Sequence, residues 1–273
     1  MWKSIEYVLT ATTFNEKECA EISKELYRPL LPILGCNRNF PLILRYNDTS
    51  LMGLGLANPY WEQGFAHIEL LLSHGNRDTI TGKLLTAMIE QHQLAIGCMD
   101  NIFMMNYERY KHLTENTWIT NTWKFVSEYG IQLKCDDNIS LAFPRKNDRT
   151  IMSEIMKLEC MSIKEEIAFN KVRCYLQVLT ISDIATGCGT KIQQNILEGK
   201  KSMDSRYEWH EEQPTKKDIN IWKKTIRYLL DNKEQLKCPV GEWIMQSHLK
   251  WTWFYCQATD RIIQKKRNRL HIL

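Results

Sequence analysis

Asp136 and Asp137 stand side by side in the stretch IQLKCDDNISLAF. Apolar residues alternate at Ile131 and Leu133, and again at Ile139, Leu141 and Phe143 beyond a polar turn, which predicts a small hairpin with the two carboxylates at its tip. Paired magnesium ions need several carboxylates converging on them, so an aspartate pair on a hairpin is a candidate for two-metal chemistry. Here Lys134 and Cys135 precede the pair, and no upstream strand supplies a third aspartate. The residues read as a charged turn.

Gly53 and Gly55, in SLMGLGLANPYWEQG, raise the question of a phosphate cradle. A dinucleotide loop needs a third glycine where Asn58 stands, and a nucleoside-triphosphate loop needs Gly-Lys followed by Ser or Thr. Gly82-Lys83 is followed by Leu84, so it fails as well. His67 and His74 are too far apart along one helix to share a metal by the i, i+4 rule, and His210-Glu211-Glu212 lacks the second histidine of a zinc protease. The nine cysteines include no CxxC pair. A Cys/His/Asn nucleophile has no residue that singles it out. The expectation is no catalytic residue, no metal site and no cofactor.

The elements that position these residues are mostly helical. Cys19, Ile22 and Leu26 recur at helical spacing over Glu16–Tyr27, with Lys17, Glu21, Lys24 and Arg28 on the other side, and Pro29 and Pro32 are expected to interrupt or restart that helix. Asn58 is a cap and Pro59 a first-turn residue for a helix to about His74, burying Phe65, Ile68, Leu71 and Leu72. Further helices are expected from about Thr81 to Ile96 with a stop at Gly97, near Asn116–Tyr129 with Trp118, Phe125, Val126 and Tyr129 inside, at Thr150–Leu158 and at Ser162–Leu179. TGCGTKI, from Thr186, is a turn, and the polar stretch from Glu198 a surface loop. Thr215 with Asp218 makes a capping box for a helix to about Asp231, burying Ile219, Trp222, Ile226 and Leu229. WTWFYCQATDRIIQKK predicts two strands joined at Gln257–Asp260. The fold expected is mainly α, helical layers with one or two small β-hairpins, in three segments: 1–130, 131–200 and 201–273.

Charge is uneven. From Pro214 onward there are thirteen Lys and Arg against five Asp and Glu, while the rest of the chain is slightly acidic. That asymmetry suits a surface that meets nucleic acid. No apolar run reaches the roughly 20 residues of a membrane helix, so no membrane partner is expected. Unpaired thiols point to an intracellular protein of the nucleus or cytoplasm. Trp118, Trp123, Trp222, Trp243, Trp251 and Trp253 are candidates either for stacking on bases or for the core.

ATTFNEKECAEISKELYRPLLPILGCNRNFP followed by MGLGLANPYWEQGFAHIELLLSHG resembles the region after the polymerase palm in non-LTR retrotransposon reverse transcriptases. There a thumb-like helical segment leads to a GGLGI-type motif, which Gly53-Leu54-Gly55-Leu56 matches while Met52 replaces the first glycine. TGKLL, HLTENTWITNTWKFVSEYGI, LQVLTISDIATGCGTKI and WTWFYCQATDRI extend the resemblance to retroelement-like proteins of algae and protists. It implies that 1–130 is thumb-like and that the polymerase and ribonuclease-H-like centres lie outside this stretch. The chain would then engage RNA or DNA primer–template without catalysis. Phosphate contacts need cations and little base reading. The candidates are Lys216, Lys217, Lys223, Lys224 and Arg227 on the late helix, Lys17, Lys24 and Arg28 on the early one, and Arg38 in the link after it. Two rivals remain: a helical protein-interaction module with Trp-rich faces, and an enzyme centred on Cys135, Asp136 or a histidine.

Overall fold

The computed structural model describes residues 2–75, 77–133, 143, 145–158, 161–201, 213–244, 251–256 and 261–266. Most of the hairpin expected at 131–143 falls outside them, with Cys135, Asp136 and Asp137, and so does His210–Glu212. The described protein is mainly α-helical. In chain order the helices are α1 (Trp2–Leu9), α2 (Glu16–Ile33), α3 (Leu42–Tyr46), α4 (Pro59–His74), α5 (Ile80–Ile96), α6 (Tyr107–Tyr110), α7 (Trp118–Glu128), α8 (Ile151–Met156), α9 (Ile163–Leu176), α10 (Ile181–Ile184), α11 (Gln194–Leu197) and α12 (Lys216–Ile226). Strands β1 (Trp251–Cys256) and β2 (Arg261–Lys266) pair antiparallel, Trp251 opposite Lys266 and Cys256 opposite Arg261. The chain forms two compact units. The first holds Met1–Ile89, Phe103–Lys111 and Glu115–Asp137; the second holds the remainder.

In the first unit, α4 packs against α1, α2 and α7. Asn58 caps α4 through the Tyr60 N–H, and Pro59 begins its first turn, as the sequence predicts. Its buried stripe differs from the expected one. Phe65 and Leu72 are exposed, while Gln63 and His67 join Ile68 and Leu71 inside. The reason is the turn at Thr10–Phe14, where the Thr12 carbonyl and the Phe14 backbone lie outside any helix or sheet. Gln63 Oε1 accepts from the Thr12 hydroxyl at 3.0 Å and the Phe14 N–H at 3.0 Å, and its amide donates to the Phe14 carbonyl at 2.9 Å. His67 Nε2 lies 2.9 Å from the Thr12 carbonyl and Nδ1 lies 3.1 Å from Thr122 Oγ1. Buried backbone groups need such partners, so polar residues outcompete apolar ones on this face. Burial holds the His67 imidazole down to about 4, neutral at pH 7.

Gly64, in the middle of α4, has a packing reason. A Cβ there would strike the Phe125 ring, which stacks edge-on with Tyr60 and Phe65. On α7 the fully buried indole is Trp123, whose Nε1 donates to the Met105 carbonyl at 2.9 Å. Two expectations about α7 are corrected. Trp118 is half-buried with its Nε1 held by the Thr10 carbonyl, and Tyr129 is exposed.

Pro29 and Pro32 do not interrupt α2, which continues through both. Each proline removes one helical N–H and disfavours the helix by about 3 kcal/mol. Both lie on the exposed side, as do Glu25 and Arg28, the residues four positions before them. The opposite stripe of Cys19, Ser23, Tyr27 and Leu31 stays buried and holds the helix in place.

The glycine pair is a backbone-packing device. The N–H groups of Gly53, Leu54, Gly55 and Leu56 donate to the carbonyls of Asp48, Leu44, Asn47 and Arg45 at 2.8–3.0 Å. Those donors are spent within the chain, so none is turned toward a ligand phosphate. A Cβ on Gly53 would collide with the Asn47 backbone, and Gly55 takes a positive φ of 59°.

The second unit is built around α9 and α12. Thr150 caps α8 and Ser162 caps α9, the latter with Glu165 completing a capping box. Arg173 on α9 is fully buried. Its guanidinium donates to the carbonyls of Leu94, Ala95 and Val178 and to Asn170 Oδ1 at 2.5–3.2 Å. The acceptors at Leu94 and Ala95 are the orphan carbonyls at the C-terminal end of α5, the negative end of its dipole. Gly97 closes that end at φ 78°, where a Cβ would meet Met152 and crowd Arg173.

Candidate nucleic-acid interface

Thr215 caps α12 by accepting from the Asp218 N–H, and the Asp218 carboxylate accepts from the Thr215 N–H at 2.8 Å. That capping box sets the rotation of the helix. Trp222, Thr225 and Ile226 turn inward, and the Trp222 ring stacks on Phe169 with centroids 4.7 Å apart. The Trp222 Nε1 donates to the Ile196 carbonyl at 2.8 Å, so the indole buries no unmet donor. Trp222 is thus core, as Trp123 is, and neither is open to a base.

With the apolar stripe fixed, the cations follow by helical geometry. Lys216, Lys217, Lys224 and Arg227 are exposed, and Lys223 is half-buried. Helix α12 ends at Ile226, earlier than expected, and Arg227 opens a short 3-10 turn through Leu229. Carboxylates lie close by. Glu198 is held below the usual range by its bonds to Lys200 and Gln194, with Lys223 adding to the effect, and Glu165 is lowered by Ser162, with a smaller contribution from Lys224. Lys200 and Lys201, which no sequence pattern singles out, belong to this neighbourhood: Lys200 pairs with Glu198 at 2.6 Å, and Lys201 Nζ sits over the Tyr175 ring. The packing of α11 on α12 brings Glu198, with Lys200 on it, within reach of the Lys223 charge, and no periodicity in the sequence reports that packing.

The other candidates belong to the first unit. Lys17, Lys24 and Arg28 are exposed on α2, and among the described residues no carboxylate pairs with them. Glu18 is engaged in the capping box with Asn15 instead. Arg38 is exposed in the link, and its carbonyl accepts from Arg45. The structure brings five candidates together on and beside α12 and three on α2, as separate sets on separate units.

Residues with chemistry of their own lie elsewhere. Among the described residues no group of three or more His, Cys, Asp or Glu is placed to hold a metal ion. His67 is a core residue, and His112 Nε2 meets Glu166 Oε2 at 2.7 Å. The TGCGTKI turn exposes Cys188, whose thiol is lowered to about 6 by hydrogen bonds from Thr186 and Thr190. Among the described residues no helix is long and apolar enough to cross a membrane.

No protein-family model matches the chain, and neither a curated protein nor a solved structure does.

Proposed function

We propose that the protein engages nucleic acid through its backbone phosphates, in support of a retroelement-type polymerase, with no catalysis of its own in this chain. The observation that carries the reading is the outward side of α12. Lys216, Lys217, Lys224 and Arg227 lie in water above a buried apolar stripe, with Lys223 half-buried on the same helix and Glu198, which carries Lys200, within reach of its charge. Such a face has the charge for phosphate contacts and, in Trp222, no stacking residue to read bases. The exposed cations of α2 add a second set of contacts in the other unit. The likeness of the GLGL region to the segment after a reverse-transcriptase palm supplies the polymerase setting.

The test is fluorescence anisotropy with a labelled primer–template duplex across a salt series. Binding is expected to weaken as salt rises. Lys216→Glu with Lys224→Glu is expected to flatten the log–log slope by roughly 0.9 for each phosphate that is no longer neutralised. An unchanged slope in that variant, or no binding by the unaltered protein at low salt, would sink the reading.

A further inference from the structure

The first unit carries two exposed surfaces of opposite character. One runs from the end of α2 through α3 to the following turn. Ile33, Leu34, Leu42, Ile43, Leu51 and Met52 are all largely exposed there, Met52 at 88%. Scattered single aliphatics on a surface need no explanation, but six within twenty residues do. Arginines stand in and beside the same stretch: Arg38 and Arg45 lie within it and Arg28 just before it, against one carboxylate, Asp48, which accepts from the Ser50 N–H. It is also preorganised. Arg45 Nε donates to the Phe40 carbonyl at 2.8 Å and Nη2 to the Arg38 carbonyl at 3.0 Å, and the GLGL backbone clamps the end of α3. A surface already ordered loses little conformational freedom on docking.

The other surface is a groove of about 440 Å³ between α1 and α4. Tyr7 and Phe65 give it an apolar aromatic lining, and Glu6, Glu62 and Glu69 rim it. Phe65 and Tyr7 are both exposed, so no part of the described chain fills it. The Glu62 carboxyl is raised above its usual value, first by burial and then by the charge of Glu6. A cation delivered to this rim would relieve that repulsion.

We infer that these two surfaces are partners for one another across molecules: the aliphatic, arginine-bearing stretch of one copy seats in the acid-rimmed aromatic groove of a second copy. Apolar side chains meet apolar lining, and Arg28 and Arg38 meet Glu6, Glu62 and Glu69. Aliphatic side chains gain nothing from a phosphate backbone, which separates this stretch from the α12 face. Because the two surfaces differ, the contact is head to tail, leaving one free surface of each kind on every assembly, so growth continues past the dimer unless the rotation closes a ring. Arg28 and Arg38 are also candidate phosphate contacts, so the two uses compete, and the association is measured without nucleic acid.

Sedimentation velocity on the full chain, nuclease-treated and over a concentration series, tests it. The unaltered protein is expected to associate, more weakly at high salt. Arg38→Ser with Ile43→Ser, and separately Glu6→Lys with Glu69→Lys, are each expected to raise the dissociation constant at least tenfold. All four positions are exposed, and an unchanged thermal melt confirms that each variant folds. An equimolar mixture of the two variants retains one intact pair of surfaces and is expected to stop at the dimer. A monomeric unaltered protein at low salt overturns the inference, as does association untouched by either double variant. A mixture of the variants that stays monomeric while the unaltered protein associates overturns it too.

Discussion

Helices α2 and α12 look alike in sequence and are backed differently. Each starts with a capping box, Asn15 with Glu18 and Thr215 with Asp218, and each shows lysines to solvent. Beneath α12 lies an apolar stack, Trp222 on Phe169. Helix α2 packs instead on α4, whose inner side is hydrogen-bonded through Gln63 and His67. Their charges differ as well: α2 carries Glu16, Glu18, Glu21 and Glu25 among its cations, while α12 carries Asp218 alone, with Glu165 and Glu198 close by. One amphipathic pattern can therefore go with an aromatic stack in one unit and with a buried neutral histidine in the other.

The sharpest way to break the comparison is to remove the stack. Trp222→Ala is expected to cost about 3–5 kcal/mol, from the forfeited apolar burial plus the cavity left. Chemical denaturation followed by tryptophan fluorescence and far-UV circular dichroism would measure it; a loss below about 1 kcal/mol would mean that α12 does not depend on Trp222.

A second, comparable effect is expected of the other interior on acidification. His67 is buried neutral, with its folded value pulled from 6.5 to about 4. The unfolded chain takes up that proton first, so the stabilisation is complete above 6.5 and is lost as pH falls toward about 4. The loss amounts to roughly 3 kcal/mol by the time both states are protonated. Denaturation midpoints measured at intervals across that window check it. His67→Gln should be less stable at neutral pH and should flatten the dependence; a slope unchanged in this variant assigns the effect elsewhere.

The smallest test sharpens what the two helices share. Asn15→Ala and Thr215→Ala each remove one side-chain acceptor from a helix start and are expected to cost about 1 kcal/mol. Equal losses in thermal melts at fixed pH would show that the caps act locally, whatever lies underneath. A much larger loss at one helix would tie that cap to tertiary packing.

The sites legible from sequence were those governed by local rules. Caps at Asn58 and Thr215, the stop at Gly97 and the turn at TGCGTKI depend on a few neighbouring groups. Helix α2 departed from its local signal because the two prolines fall on the solvent side, where missing donors cost least. The cationic side of α12 was legible because its apolar stripe has a clear period, but the Lys200–Glu198 pair was not, since only packing brings it within reach of Lys223. Phe65 and Leu72 misled for the converse reason: hydrophobicity does not report that a distant turn at Thr10–Phe14 needs hydrogen-bond partners from the same helix.

The sequence alone determined that the described chain is mainly helical, where several helices begin, and where cations concentrate, because capping, helical period and charge are properties of short segments. Tertiary structure decided which residues those helices bury. It put Gln63 and His67 inside one unit and Arg173 inside the other, where each supplies backbone groups of another segment with the hydrogen bonds that water no longer provides.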